Sequence, residues 1–189
     1  MQDSLVSIII PAYNAASLIE EALHSVSQQS YVHWEVIIVE DGTEDGTAGI
    51  LKHFEQTVKQ VVQYISHPLN RGVSEARNTA ISAANGGYIA LLDHDDVWEE
   101  SHLQILMQKF QETQTDIVFS SAYFFDNLTR YSRGTHGPCE KELDLFPQSL
   151  LNRCYIPVSS VIMKRSVPTL VGGFDPNLSK AEDLDYWLR

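Results

Sequence analysis

Along this chain, short continuous apolar runs alternate with stretches whose apolar residues recur every three or four positions. Runs of the first kind read as buried strands, and stretches of the second as amphipathic helices. Residues 5–10 are a β-branched run stopped by Pro11, a first strand. Leu18, Ile19, Ala22, Leu23 and Val26 follow at helical spacing, with Ser17 and Glu20 at capping-box distance. Residues 35–39 read as a second buried strand running into Glu40, Asp41, Gly42 and Thr43. Asp45 or Thr43 can cap the next helix, whose apolar face is Ile50, Leu51, Phe54 and Val58. A third strand over 61–65 and a loop over 67–72 lead to a helix over 73–84. Its inward face is Ala76, Ala80, Ile81 and Ala84, and Gly86-Gly87 closes it.

Residues 88–92 then form a mostly apolar run that ends directly in Asp93, His94, Asp95 and Asp96. Such a run reads as a buried strand of a parallel sheet. A helix over 99–111 presents Leu103, Leu106 and Phe110 on one face, and a further strand spans 116–125. Residues 127–141 are polar and loop-like, 144–152 read as a short helix, 159–163 as a short strand, and a helix starts near Ala181. Four successive strand-then-helix units predict an α/β fold, with a mostly parallel central sheet and helices on both faces.

Charge narrows the partners. The formal net charge is −12. Such a surface disfavours nonspecific binding to nucleic acid or anionic lipid, so nucleic acid is not an expected partner. Cys139 and Cys154, the only cysteines, make neither a disulfide framework nor a zinc signature and read as plain buried or half-buried thiols. There is no basic stretch ahead of an apolar core at the N-terminus, and no apolar run reaches the ~18 residues of a membrane span. The expectation is one soluble, cytoplasmic domain over 1–189. The chain stops inside its last helix, which reads as truncation at the C-terminus.

Three strand ends carry the candidate chemistry. The first holds Pro11, Tyr13 and Asn14, the second Glu40 and Asp41, the fourth Asp93, Asp95 and Asp96. A parallel sheet brings these ends to one edge, where ligands of open α/β sheets bind. An aromatic ring and carboxylates at one edge suit a nucleotide. Carboxylates packed this closely repel one another unless a cation sits among them, and Mg²⁺ or Mn²⁺ prefers oxygen ligands. Taken alone, each residue also fits a plainer role: Tyr13 a surface aromatic, Asp41 a turn residue before Gly42, Asp93 a helix cap, and the acids a solvated turn.

The motifs in order are residues 6–14, 40–47, Asn70-Arg71-Gly72-Val73-Ser74 with Ala76-Arg77-Asn78, and Leu92-Asp93-His94-Asp95-Asp96. Gly172-Gly173-Phe174-Asp175 and Glu182-Asp183 come later. This series resembles family 2 glycosyltransferases of the GT-A fold, over nearly the whole chain. Glu40 departs from it, standing where the family more often has Asp. The resemblance implies an inverting, metal-dependent hexosyltransferase. It would move a sugar from a nucleotide-sugar donor, with a UDP-sugar favoured, to a saccharide or lipid-linked saccharide acceptor in surface glycan or polysaccharide synthesis. It implies that Asp41 accepts from the base N–H, that Asp93 contacts the ribose or donor sugar, and that Asp95, with Asp93, holds Mn²⁺ or Mg²⁺ against the diphosphate. Pro11, Tyr13, Asn14, Glu40, Arg71 and Arg77 complete the donor side. Asp183 is the implied general base, and Gly172-Gly173 the close approach beneath the acceptor. On strand alternation His94 should point away from the metal. The loop 127–139, with Arg130, Arg133 and His136, is expected near the donor diphosphate. Action at the inner face of the membrane, through a part beyond Arg189, is a further expectation.

Two other readings stand beside this one. Asp93-x-Asp95-x-Val97 after an apolar strand also fits haloacid-dehalogenase-like phosphatases, with Asp93 as nucleophile, although that signature normally follows the first strand. The chain also suits a module that binds nucleotide without turnover.

Overall fold

The computed structural model describes residues 4–125 and 132–189, with backbone alone for Ser132 and Arg133. β1 (Val6–Ala12) and β2 (Trp34–Asp41) are buried at every position, as strands covered on both faces must be. β3 (Val62–His67) and β4 (Tyr88–Leu91) complete the parallel part. β5 (Ile117–Phe119) and β8 (Val161–Lys164) close the sheet, whose order is β3-β2-β1-β4-β8-β5. β8 runs antiparallel to both of its neighbours.

Alternation along each strand sends apolar residues to two cores. Ile8, Ile10, Val36 and Ile38 pack with α1 (Ile19–Ser27), α2 (Thr47–Thr57) and α4 (His102–Thr113). Ile9, Ile37, Val39 and Leu91 face α3 (Val73–Ala83), α6 (Ser166–Val171) and α7 (Glu182–Leu188). The predicted faces of α2, α3 and α4 are the ones that turn inward.

Several local expectations are corrected. Ser17 and Glu20 form no capping box: α1 starts at Ile19 with no side-chain cap. Asp45 accepts from the Ala16 N–H in the turn ahead of α1 and from the Thr47 N–H at the start of α2. Thr43 caps nothing, its buried hydroxyl having no partner among the described residues. The strand expected over 116–125 breaks after Phe119. Its second half, β6 (Ala122–Phe125), leaves the main sheet to pair with β7 (Ser132–His136) in a separate hairpin. The loop expected over 127–141 therefore contains a strand and the start of α5 (Glu140–Asp144), which lies earlier than the predicted helix. A 3₁₀ turn at Gln148–Leu151 follows.

One polar clasp locks the sheet near the start of β4. Glu35, 4% exposed, accepts from the Ser7 hydroxyl at 2.6 Å, the Asn85 N–H at 2.6 Å and the Gly86 N–H at 3.2 Å. A Cβ on Gly86 would lie 2.5 Å from the Leu5 carbonyl oxygen, so only glycine lets the α3–β4 turn sit this close to β1.

Candidate active site

The sheet order places β2 on one side of β1 and β4 on the other. The chain winds outward from β1 to β3 and then reverses, which opens a crevice at the C-terminal ends of β1 and β4. A cavity of about 240 Å³ lies there. Pro11, Ala12 and Tyr13 line it from the end of β1, Asp41 from β2, Asn70, Gly72, Val73 and Ala76 from the loop and helix after β3, and Asp93, His94 and Asp95 from the turn after β4. Tyr13 is 47% exposed, and Asn14 beside it has a left-handed backbone with φ of 50°.

Asp41 is almost wholly buried and fully engaged. Its Oδ1 accepts from His67 Nδ1 at 2.7 Å, and its oxygens accept the Arg71 N–H at 2.9 and 3.1 Å and the Gly72 N–H at 2.8 Å. Gly42, with φ of +74°, packs so tightly on the Leu69–Asn70 backbone that any Cβ would overlap it. Glu40, the next residue back on an extended strand, faces the other way. It bonds the Tyr64 hydroxyl of β3 and does not line the cavity. The guanidinium of Arg71 also lies outside the lining, paired with Glu75 at 3.1 Å.

The acidic segment is a turn. β4 ends at Leu91, so strand alternation no longer governs residues 93–96. His94 consequently lines the same cavity as Asp93 and Asp95, correcting the expected outward orientation, and its Nδ1 donates to the Pro11 carbonyl at 3.2 Å. Ser159 fixes the turn from two sides. Its hydroxyl accepts the Asp93 N–H at 3.0 Å and donates to Asp96 Oδ2 at 2.6 Å. Asp96 is exposed as a residue while its carboxylate is tucked against Ser159. Burial pushes that carboxyl up, and charge on Asp93 and Asp95 adds to the effect against the Ser159 hydrogen bond.

Arg77 ties this turn to the last helix. It is 2% exposed; one terminal nitrogen donates to both Asp93 oxygens at 2.8 and 3.1 Å and the other to Glu182 at 3.1 Å. Burial opposes its charge, and the Asp93 and Glu182 carboxylates outweigh burial and raise its pKa. The guanidinium also stands 5.2 Å over the Phe174 ring. Phe174 is held by Asn78, which accepts its N–H and donates to its carbonyl, both at 2.8 Å. Gly173 is where that approach is closest, since a Cβ there would lie 2.5 Å from Asn78 Oδ1. Gly173 therefore packs on Asn78, while Gly172 takes a left-handed backbone with φ of +87°. Asp183 follows Glu182 in the first turn of α7, with the Cys154 thiol 3.8 Å from its Oδ2. Cys154 is half-buried, and Cys139 is exposed where a buried or half-buried thiol was expected.

Among the described residues, no group of three or more His, Cys, Asp or Glu side chains could hold a metal ion alone. Asp95 is exposed at the cavity and has no hydrogen-bond or ion-pair partner among the described residues. One free carboxylate fits the way Mg²⁺ is commonly bound, by one or two carboxylates completed by waters and substrate phosphates. Asp93 lines the cavity too, and one Arg77 nitrogen takes a contact on each of its oxygens while 29% of the side chain stays exposed.

A second cavity of about 360 Å³ flanks the other side of the turn, lined by Asp96, Trp98, His102, Tyr123 and Ser160 among others. Arg130 and the side chain of Arg133 lie outside the described residues; His136 packs edge-on against Phe124 in the hairpin. Sequence reasoning missed His67, Ser159 and the Glu182 contact. Each is a single polar residue joined to a partner remote in the chain, and no local period marks such a residue.

Residues 7–170 match the family described as glycosyl transferase family 2. A Bacillus subtilis protein named putative teichuronic acid biosynthesis glycosyltransferase TuaG is 33% identical over 186 residues, covering 97% of this chain and 71% of its own. Escherichia coli WfgD, named UDP-Glc:alpha-D-GlcNAc-diphosphoundecaprenol beta-1,3-glucosyltransferase, is 28% identical over 188 residues, or 100% of this chain and 70% of its own. The crystal structure of S. aureus TarS 1–349 with UDP-GlcNAc superposes with a TM-score of 0.77 at 22% identity, covering 96% of this chain and 51% of that one. The mannosyltransferase PcManGT from Pyrobaculum calidifontis, in complex with GDP-Man and Mn²⁺, gives 0.71 at 22% identity. The chain thus spans about 70% of these curated relatives and about half of the solved chains. At such identities the two structures speak for the fold, and the fold is the expected GT-A arrangement.

Proposed function

The chain belongs to glycosyl transferase family 2, and from that membership we propose that it transfers a hexose from a UDP-sugar to a saccharide hydroxyl with inversion. The observation that carries the reading is the cavity at the reversal of the sheet. It joins an aromatic ring (Tyr13), a buried acceptor (Asp41) and an exposed carboxylate without a partner among the described residues (Asp95), and Arg77 links its acidic turn to the helix bearing Asp183. Tyr13 packs against the base and Asp41 accepts its ring N–H. Pro11 lines that pocket, and Asn14 follows Tyr13 outside its lining. Asp93, held by Arg77, is positioned for the ribose or the donor sugar. Glu40 and the Arg71 guanidinium support the site from outside the cavity.

Asp95 is the residue that would hold Mg²⁺ or Mn²⁺ against the diphosphate; when bound, such an ion neutralises charge on the leaving group. Asp183 removes the proton from the acceptor hydroxyl as its oxygen attacks the anomeric carbon. The bond from that carbon to the diphosphate oxygen breaks, the nucleoside diphosphate leaves with the electron pair, and the configuration inverts. The uridine relatives WfgD and TarS support the UDP assignment. The names of TuaG and WfgD support a saccharide or lipid-linked acceptor in surface glycan synthesis. No helix among the described residues is long and apolar enough to cross a membrane; work at the cytoplasmic face of one is part of the proposal.

Asp183→Asn tests the base. It keeps size and polarity but cannot take the proton. UDP release from UDP-glucose or UDP-GlcNAc, with saccharide acceptors present, should fall by about 10²–10⁴-fold while UDP affinity stays unchanged. Turnover within a few-fold of the parent would exclude Asp183 and direct attention to Glu182 and Asp185.

A further inference from the structure

The two ends of α7 are anchored in different ways. At its far end Tyr186 is buried and stacks on Phe174 at 4.2 Å, and Arg189 donates to the Val171 and Gly173 carbonyls, both at 2.9 Å. Its first turn has no side-chain cap among the described residues. Ala181, just ahead of it, has a left-handed backbone with φ of 57°, which a residue with a Cβ adopts only where its surroundings impose it. Here Glu182 reaches across to α3, and its Oε1 accepts from Arg77 Nη1 at 3.1 Å. We infer that Glu182 is a positioning residue for the transfer: by gripping Arg77 it fixes the first turn of α7, and with it the Asp183 carboxylate, against the donor turn. The inference rests on the reading of Asp183 as the base.

Arg77 is a fixed point to grip. It is buried, its other terminal nitrogen holds Asp93, and its guanidinium lies over the Phe174 ring. Successive residues of an α-helix project about 100° apart. Glu182 therefore holds Arg77 while Asp183 points elsewhere, toward Cys154, whose thiol is 3.8 Å from Asp183 Oδ2. A general base must stay within hydrogen-bond reach of the proton it takes. A first turn released from Arg77 is free to rotate or fray, and a misplacement of about 1 Å can cost ~10²-fold in rate. Cys154 reports where Asp183 stands. Burial raises the pKa of its thiol, and the Asp183 carboxylate adds to the effect. Only the thiolate is the nucleophile, so a carboxylate that moves off leaves a more open and more reactive thiol.

The test compares the parent with Glu182→Leu and Glu182→Gln, all carrying Cys139→Ser because Cys139 is exposed and would label first. Leucine removes the grip and leaves Arg77 its Asp93 counter-charge; glutamine keeps an oxygen for Arg77 but cannot take a proton. Two quantities are read: UDP release from UDP-glucose or UDP-GlcNAc with saccharide acceptors present, and the rate of Cys154 alkylation by iodoacetamide. Glu182→Leu should lose about 10²-fold in kcat with the donor KM unchanged, and its Cys154 should label several-fold faster. Glu182→Gln should recover most of the turnover and label near the parent's rate. A folded leucine variant whose Cys154 labels at the parent's rate overturns the inference, and the Asp183 reading then stands or falls on Asp183→Asn. A glutamine variant as slow in turnover as the leucine one also overturns it and makes Glu182 itself the candidate base. A loss in donor KM with kcat unchanged places Glu182 on the donor side and overturns it as well. If the leucine variant does not fold, Glu182→Ala is read by the same criteria.

Discussion

Arg77 carries two carboxylates on one guanidinium in a place with almost no access to water. Asp93 belongs to the turn after β4 and Glu182 to the start of α7, so a single side chain spans the proposed donor and base sides. Breaking such a pair from one side leaves charge stranded against protein, which is the expensive case for buried ion pairs. Asp93 and Glu182 keep 29% and 17% side-chain exposure, and that moderates the cost. Arg77→Met should lower unfolding free energy by about 2 kcal/mol, read from urea denaturation. A loss below a few tenths would show that the network is incidental to stability. Asp95 is the opposite case. It has no hydrogen-bond or ion-pair partner among the described residues and contributes charge to a crowded turn. Asp95→Ala should abolish Mn²⁺-dependent UDP binding while the melting temperature holds or rises, since repulsion on Asp96 is relieved. Undiminished Mn²⁺ and UDP affinity in that variant would remove Asp95 from the metal site.

The elements are held in register by polar clasps as much as by their apolar faces. Glu35 joins β2 to β1 and to the turn entering β4 through Ser7, Asn85 and Gly86. Burial opposes its charge, but the hydrogen bonds from Ser7, Asn85 and Gly86 together hold its carboxyl below the ordinary glutamate range. A carboxyl depressed in the folded state stabilises the protein above its unfolded pKa, about 4.3, and loses that stabilisation as pH falls through the folded value. Thermal melts from pH 7 to 3 should therefore show an acid limb that is shallower in Glu35→Gln, with the variant less stable at neutral pH. Parallel curves would mean that Glu35 is not linked to folding. The same turn forbids a side chain at Gly86. Gly86→Ala should cost about 2 kcal/mol through the collision with the Leu5 carbonyl, without touching the cavity.

For the molecule as a whole, an excess of acid governs what it binds. With a net charge of −12 it can take a diphosphate only where positive charge is supplied locally. The described lining of the cavity holds no Arg or Lys. UDP stabilisation should therefore require Mn²⁺ or Mg²⁺ and disappear with EDTA. At a hundredfold excess over Kd, ligand linkage contributes about 2.7 kcal/mol. In a domain of this size that raises Tm by roughly 5–10 °C. No shift with any nucleoside diphosphate in the presence of Mn²⁺ would count against the donor site.

The periods of the sequence alone determined the strands and the main helices, because burial of a strand or a helix face leaves a local, repeating mark. Residues 5–10, 35–39 and 88–92 are readable for that reason, and so is the arrival of Asp41 and Asp93–Asp96 at one edge once the units are known to be parallel. The tertiary structure alone decided what each polar group meets. Nothing near Asp41 in the chain announces His67, and nothing near Arg77 announces Glu182, 105 residues away. The reversal of β8 between β4 and β5, the break after Phe119, and the turn that brings His94 into the cavity were likewise settled by packing among distant segments. A buried charge needs a partner wherever the fold can supply one, and only the folded chain fixes which residue is near enough to serve.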